Sequence, residues 1–293
     1  MTGNPPNRLI KKMQLETKIY QKENNSKIGR LLKESFKDLL GSHFLAKQLA
    51  TRDIKSQYRQ SYLGIVWIFI TPLTSAFVWI FLSYTGTVTL SDTGVPYPVY
   101  VFSGTLIWSM ISESINSPTR NTGAARGLMT KINFPKEALI LIGVYKLLFN
   151  SSIKIGLLIV LIFLFGIGFH WSLLLFPFAM VSAILFGTTL GLFITPIALL
   201  YNDIGKIVSM GLGFLMYITP VMYVIPKTGM MKTVMELNPF TPLILTARDL
   251  ALGKSPEFLG YFFGILGVSI ALFSIGLLFY RISIPVIVER LSA

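Results

Sequence analysis

Three cations on one helical face are the first residues here whose spacing suggests chemistry. Arg52, Lys55 and Arg59 stand at i, i+3 and i+7, so a helix places them side by side. Such a row suits a surface of anionic headgroups. Ile54, Tyr58 and Tyr62 follow a four-residue step on the neighbouring side and make the helix amphipathic. Covalent chemistry finds no comparable support. The sequence has no His-Glu-x-x-His, no pair of intramembrane carboxylates and no nucleophile beside a histidine. His170 has no second histidine near it, and His43 is far off in sequence, so a boundary position is expected for it over a metal ligand. Gly253-Lys254-Ser255 ends like a phosphate-cradling loop, but that loop needs a glycine at position 248, which is Arg. The absence of cysteine excludes disulfides and thiolate metal sites.

The elements that must carry the basic row belong to a membrane protein. The 293 residues are 53% hydrophobic and 13% charged, with mean hydropathy +0.64, where an ordinary soluble domain carries about 25% charged residues. The net charge of +13 does not imply nucleic acid. Thirteen of the 26 Lys and Arg precede Tyr62, which sets them against an anionic inner leaflet. No charge occurs between Arg59 and Asp92, and residues 65–85 are apolar enough and long enough to cross a bilayer.

The expected architecture is all-α: six transmembrane helices, an N-terminal amphipathic interfacial helix, and short re-entrant helices before the last span. The spans are read at about 65–85, 99–115, 140–169, 173–200, 207–225 and 258–280. No secretory leader is evident, so the first span is expected to anchor the chain. Residues 1–40 read as a polar, lysine-rich cytoplasmic arm with a short helix near 28–40, either solvated or partner-binding. Residues 116–138 return to cationic chemistry and are expected to lay a short helix across the inner face. Lys146 and Lys154 disturb the third span, since a charge at mid-bilayer costs about 2.5–3.5 kcal/mol. Lys154 either belongs to a substrate path or reaches back to the headgroups.

Residues 155–202 carry no formal charge, and 48 residues make two spans with a hairpin at Gly166 to Trp171. Gly187-x-x-x-Gly191 in the fourth span would let another helix approach closely. Gly211, Gly213 and Pro220 disturb the fifth. Residues 226–257 are too polar to span and too apolar to be a free loop, which suggests helices dipping into the outer leaflet. With both ends inside, 21 of 26 cations fall on the inner side and 4 on the outer, leaving Lys154 between.

Several motifs, in order, resemble one family. Thr51-Arg52-Asp53-Ile54-Lys55, Tyr58-Arg59-Gln60, Leu63-Gly64-Ile65-Val66-Trp67 and Pro72-Leu73 are similar to the start of ABC-2 type permeases of the polysaccharide-export group. So are Lys131-Ile132-Asn133-Phe134-Pro135-Lys136-Glu137 and Asn238-Pro239-Phe240-Thr241-Pro242-Leu243, followed by Arg248-Asp249 and Gly253. The closing Val288-Glu289-Arg290-Leu291-Ser292-Ala293 is similar too. The likeness covers about residues 40–293, so residues 41–293 would form the ABC-2 transmembrane domain.

The resemblance implies a homodimer in the bacterial cytoplasmic (inner) membrane, both termini cytoplasmic, docked on two ATP-binding cassette subunits. The chain itself would hold no cofactor, ATP and magnesium being bound by the partner. Its cargo would be lipid-linked polysaccharide: O-antigen or capsule in Gram-negative bacteria, teichoic acid in Gram-positive ones. Arg52, Lys55 and Arg59 would then either receive the (pyro)phosphate of the lipid linkage or simply adhere to membrane lipids. Tyr62, Trp67 and Phe77 on the first span, Trp108 on the second, and Tyr217 and Tyr223 on the fifth would line a path where sugar rings slide, unless they serve core or interface. The coupling helix that fits the ATPase would lie within Arg126, Leu128, Lys131, Phe134, Pro135 and Lys136. An exporter of a drug or small lipid shares the architecture. An intramembrane glycan-lipid enzyme would need cytoplasmic acids, and only Glu113, Glu137 and Asp203 are candidates.

Overall fold

The computed structural model describes residues 28–59, 66–86 and 93–292, and among them every regular element is helical. In order these are α1 (Ile28–Gly41), α2 (His43–Arg59), α3 (Val66–Tyr84), α4 (Tyr97–Ala124), α5 (Arg126–Met129), α6 (Ala138–Leu164), α7 (Phe176–Leu200), α8 (Asn202–Tyr217), α9 (Met230–Leu237), α10 (Phe240–Leu252) and α11 (Leu259–Ser292). A 3₁₀ turn at Trp171–Leu174 joins α6 to α7. Tyr62 lies outside the described residues.

α4 is the central post. Pro98 stands in its first turn, where a missing N–H costs nothing, and the helix buries Val99 to Trp108 without interruption. It packs most heavily on α7 and then on α6. The glycine pair predicted to permit close approach does so: Gly187 faces the Ser114 side chain and the Ile111 carbonyl, and Gly191 faces the Ile115 carbonyl and the Pro118 ring. Any β-carbon there would collide with backbone.

Two apolar clusters result. One, toward the end that carries α10, joins Phe102, Leu106 and Ile107 of α4 with Leu158 of α6, Phe176 of α7 and Leu243 of α10. The other, at the opposite end, joins Ala46 and Ala50 of α2 with Leu139 of α6, Leu199 of α7 and Tyr280 of α11.

Three described helices, α6, α7 and α11, are long and apolar enough to cross a membrane. α7 is two-thirds buried, whereas α6 and α11 leave most of their apolar surface open, as lipid-facing helices would. α3 is uncharged over 19 residues, about 28 Å.

Several boundaries differ from the sequence expectation. The second span was expected to end at 115, but α4 runs on to Ala124 and carries Glu113 and Arg120 with it. Only Arg126–Met129 remains as a separate helix on the inner segment. The fifth was expected to reach 225, but α8 stops at Tyr217, where Pro220 three residues on lacks the N–H that a continuing helix would need and disfavours helix in the residue before it. α11 does not end at 280; it continues through Pro285 to Ser292, about 50 Å in all. The outer segment holds two short helices, α9 and α10, and α10 is buried along most of its length.

Candidate functional site

The described end that gathers α1, α2, α5 and the last turns of α11 holds most of the predicted site residues. α2 lies along α6 through Ala46 and Ala50, whose small side chains let the two helices approach. Ile54 continues the four-residue step of Ala46 and Ala50 and is half-buried. Arg52, Lys55 and Arg59 are all exposed. Arg52 Nη2 donates to Asp53 Oδ1 at 3.0 Å. The other carboxylate oxygen of Asp53 accepts from Lys146 Nζ at 3.3 Å, and the same ammonium donates to Asn121 Oδ1 at 3.3 Å. Lys146, the charge that seemed misplaced in an apolar helix, is therefore held by a carboxylate from the interfacial helix and an amide from α4. The sequence signal for this was Asp53 itself, the single acid between Asp38 and Asp92.

The loop between α5 and α6 is organised around α11. Arg281 Nη1 donates to Glu137 Oε1 at 2.7 Å and to Asp38 Oδ2 at 2.8 Å, with Glu34 3.9 Å from Nη2. α1, the loop before α6, and α11 are thereby tied at one guanidinium. Burial pushes the Glu137 carboxyl above its usual range, against the opposing pull of Arg281. The Tyr280 hydroxyl is hydrogen-bonded to Thr122 Oγ1 at 2.7 Å, which fixes α11 against α4.

The predicted coupling residues divide. Arg126 Nη2 donates to the Leu199 carbonyl at 2.9 Å, capping the end of α7, so its guanidinium is engaged inside the subunit. Lys131 and Pro135 are exposed, while Leu128 and Phe134 are half-buried. Lys136 Nζ lies 4.7 Å from the centre of the Phe134 ring, and burial lowers its pKa. A cavity of about 550 Å³ opens between this loop, Asp38 and the Pro285 turn of α11.

The predicted path aromatics also divide. Phe77 is 66% exposed on α3, stacked with Phe81 at 6.5 Å, and Trp67 is exposed on the same helix. Tyr217 is 58% exposed at the end of α8, and the Tyr223 hydroxyl donates to its carbonyl. Trp108 is 5% exposed and lies 5.5 Å from the Phe240 ring, so its side chain packs in the core between α4 and α10.

At the opposite end the arrangement is different. Arg248 is 1% exposed. Its Nη1 donates to the Pro220 carbonyl at 3.0 Å and its Nη2 to the Val221 carbonyl, and the guanidinium lies 3.9 Å over the Tyr100 ring. These carbonyls belong to the segment that Pro220 broke out of helix. Gly104 leaves the room: a β-carbon there would collide with the Val221 carbonyl and the guanidinium. Asn238 donates to Thr219 Oγ1 at 2.9 Å and accepts the Phe240 N–H, which starts α10. Gly253 ends it at φ +74° while the Lys254 N–H bonds the Asp249 carbonyl, so the Gly-Lys-Ser tripeptide is a helix stop. Burial pushes the Asp249 carboxyl up to about 6 against the pull of Arg248 and Lys254. Among the described residues no group of three or more His, Cys, Asp or Glu is placed to hold a metal ion.

The family model described as ABC-2 type transporter matches residues 45–252. The chain belongs to the ABC-2 type transporter family. It is a multi-pass membrane protein. The chain is 29% identical over 199 residues to the O-antigen export system permease protein of Myxococcus xanthus, covering 67% of this chain and 75% of that one. It is 23% identical over 245 residues to the protein of the same name from Klebsiella pneumoniae, covering 80% of this chain and 91% of that one. The Arg248 staple and the Glu137–Arg281–Asp38 cluster are thus features of an ABC-2 permease subunit. Reading the sequence alone missed both as clusters.

Proposed function

We propose that this ABC-2 permease is the transmembrane subunit of an ATP-driven exporter that moves a lipid-linked, O-antigen-like polysaccharide out across the bacterial cytoplasmic membrane. The observation that carries this is kinship with O-antigen export permeases over most of both chains. The exporter is a homodimer of six-span subunits with both termini in the cytoplasm, a placement supported by the sequence, in which 21 of the 26 cations fall in the segments read as inner and 4 in those read as outer. Two ATP-binding cassette subunits bind ATP and magnesium and drive it. Exposed Lys131 and Pro135, with Phe134 and Lys136 beside them, offer those subunits a cationic, partly apolar knob. Arg52, Lys55 and Arg59 present an open cationic face to the phosphate of the lipid linkage.

The test is purification with the ATPase partner. The wild-type complex is expected to hydrolyse ATP and export glycan. Lys131→Ala with Phe134→Ala is expected to cut both at least tenfold while leaving the permease folded. Glycan modification by the purified permease without any partner would overturn the reading.

A further inference from the structure

The side chains of α4 sort themselves by chemistry. Between Ser109 and Arg120 the buried positions are Met110, Ile111, Ser114, Ile115, Ser117 and Pro118, while every position left open is polar. Thr119 turns to α7, where it bonds Thr195 at 3.0 Å. Ser109, Ser112, Glu113, Asn116 and Arg120 remain, and their spacing of three or four residues makes one continuous stripe.

The flanking helices add to it. Lys154 of α6 donates to Ser109 Oγ at 3.1 Å, and Ser209 of α8 donates to Asn116 Oδ1 at 3.4 Å. Arg120 Nη2 lies 3.3 Å from Glu113 Oε1. Ser112 Oγ is buried with no hydrogen-bond partner among the described residues.

This differs from every other open helical face nearby. α6 shows Val160, Phe163 and Leu164, and α11 shows Phe263, Val268 and Ile275. Those faces suit lipid. A stripe with three charges does not, because each ionised group facing hydrocarbon is costly and is kept where water or protein meets it. The ammonium of Lys154 points to α4, meeting it about 18 Å along that helix from Tyr97. Glu113 and Arg120 offset each other, which leaves the ammonium of Lys154 as the surplus charge.

We infer that the open stripe of α4, from Ser109 to Arg120 with Lys154 beside it, is the wetted wall of the conduit, and that Lys154 gives the wall a preference for anionic groups on the passing glycan. The inference rests on the export reading and deepens it by naming the cargo class: a hydroxyl-rich chain that carries carboxylate or phosphate groups. Serine and asparagine exchange hydrogen bonds with sugar hydroxyls as water does, while one net positive charge raises the local concentration of anions.

The chain has no cysteine, so single cysteines can be placed without a background. Asn116→Cys and Ser209→Cys, its hydrogen-bonded neighbour on α8, are the stripe positions that test the wall, and Val160→Cys and Val268→Cys serve as lipid-facing controls. The probes are membrane-impermeant thiosulfonates of either charge, applied to the full-length protein in host membranes. Both stripe cysteines are expected to react at least tenfold faster than both controls. The anionic reagent is expected to outpace the cationic one several-fold, and Lys154→Gln to abolish that preference while Lys154→Arg keeps it. Stripe cysteines as slow as the controls would overturn the wall, and a charge preference indifferent to Lys154→Gln would overturn the role of Lys154. Labelling does not depend on what is exported. A labelled stripe without glycan export would therefore count against the export reading alone, and export through an unlabelled stripe against this inference alone.

Discussion

The two ends of this permease solve the same problem with different means. At the end that carries α10, which the proposed topology makes the outer one, the chain abandons helix at Pro220, and the freed carbonyls of Pro220 and Val221 are taken up by one guanidinium, Arg248, sealed under Tyr100. At the opposite end, the inner one in that topology, three separate segments meet at Arg281, whose partners are the carboxylates of Glu137, Asp38 and Glu34. Backbone carbonyls cannot be traded for solvent once they are buried, so the outer staple is fixed. Carboxylates at a partly open guanidinium can exchange with water or with another protein's charges, so the inner tie can yield. The subunit thus has one end that can respond and one end that holds its shape.

The sharpest way to break the comparison is Arg248→Met. Two buried carbonyls lose a charged donor, and the expected cost is on the order of 4 kcal/mol, read as a collapse of the folded fraction in detergent denaturation. Survival of that variant with near-native stability would remove the contrast. Next is Arg281→Met, which strands Glu137 and is expected to cost about 2–3 kcal/mol, whereas Glu137→Gln leaves Arg281 its other carboxylates and costs about 1 kcal/mol. The pH dependence sharpens this. Burial already holds the folded pKa of Glu137 above its unfolded value, and loss of Arg281 raises it further. The folded variant then keeps a proton that the unfolded chain gives up, so its deficit is expected to grow as pH climbs above the ordinary carboxylate range and to shrink on acidification. Gly104→Ala, which pushes a methyl group into the outer staple, is expected to cost about 2 kcal/mol in the same denaturation assay. The smallest effect belongs to Asp53→Asn. Its partners Lys146 and Arg52 are partly open, and the expected loss is below about 1 kcal/mol, detectable as a small shift of the thermal midpoint.

Much of this was legible in the sequence where the signal is local. The glycine pair in α7 announced a close helix contact and makes one, and the apolar runs announced α6, α7 and α11. The basic row on α2 was visible as spacing. What the sequence hid was long-range pairing. Arg248 counted as one more outer cation, because nothing within its own segment shows that carbonyls some 28 residues earlier need a donor. Lys146 looked anomalous because its partner Asp53 lies 93 residues away on another helix. The end of α4 was misjudged for a local reason: Glu113 and Arg120 marked the close of the apolar run, but they pair with each other on the open side of α4 and the helix continues past them.

The glycine contact between α4 and α7 has a mechanical consequence. With backbone seated on backbone at Gly187 and Gly191, and the Thr119–Thr195 bond farther along, neither helix can slip past the other without a collision. The pair must turn as a single beam. Any rearrangement within the subunit then falls to helices hung more loosely beside it, such as α8, of whose side chains only that of Leu212 is buried.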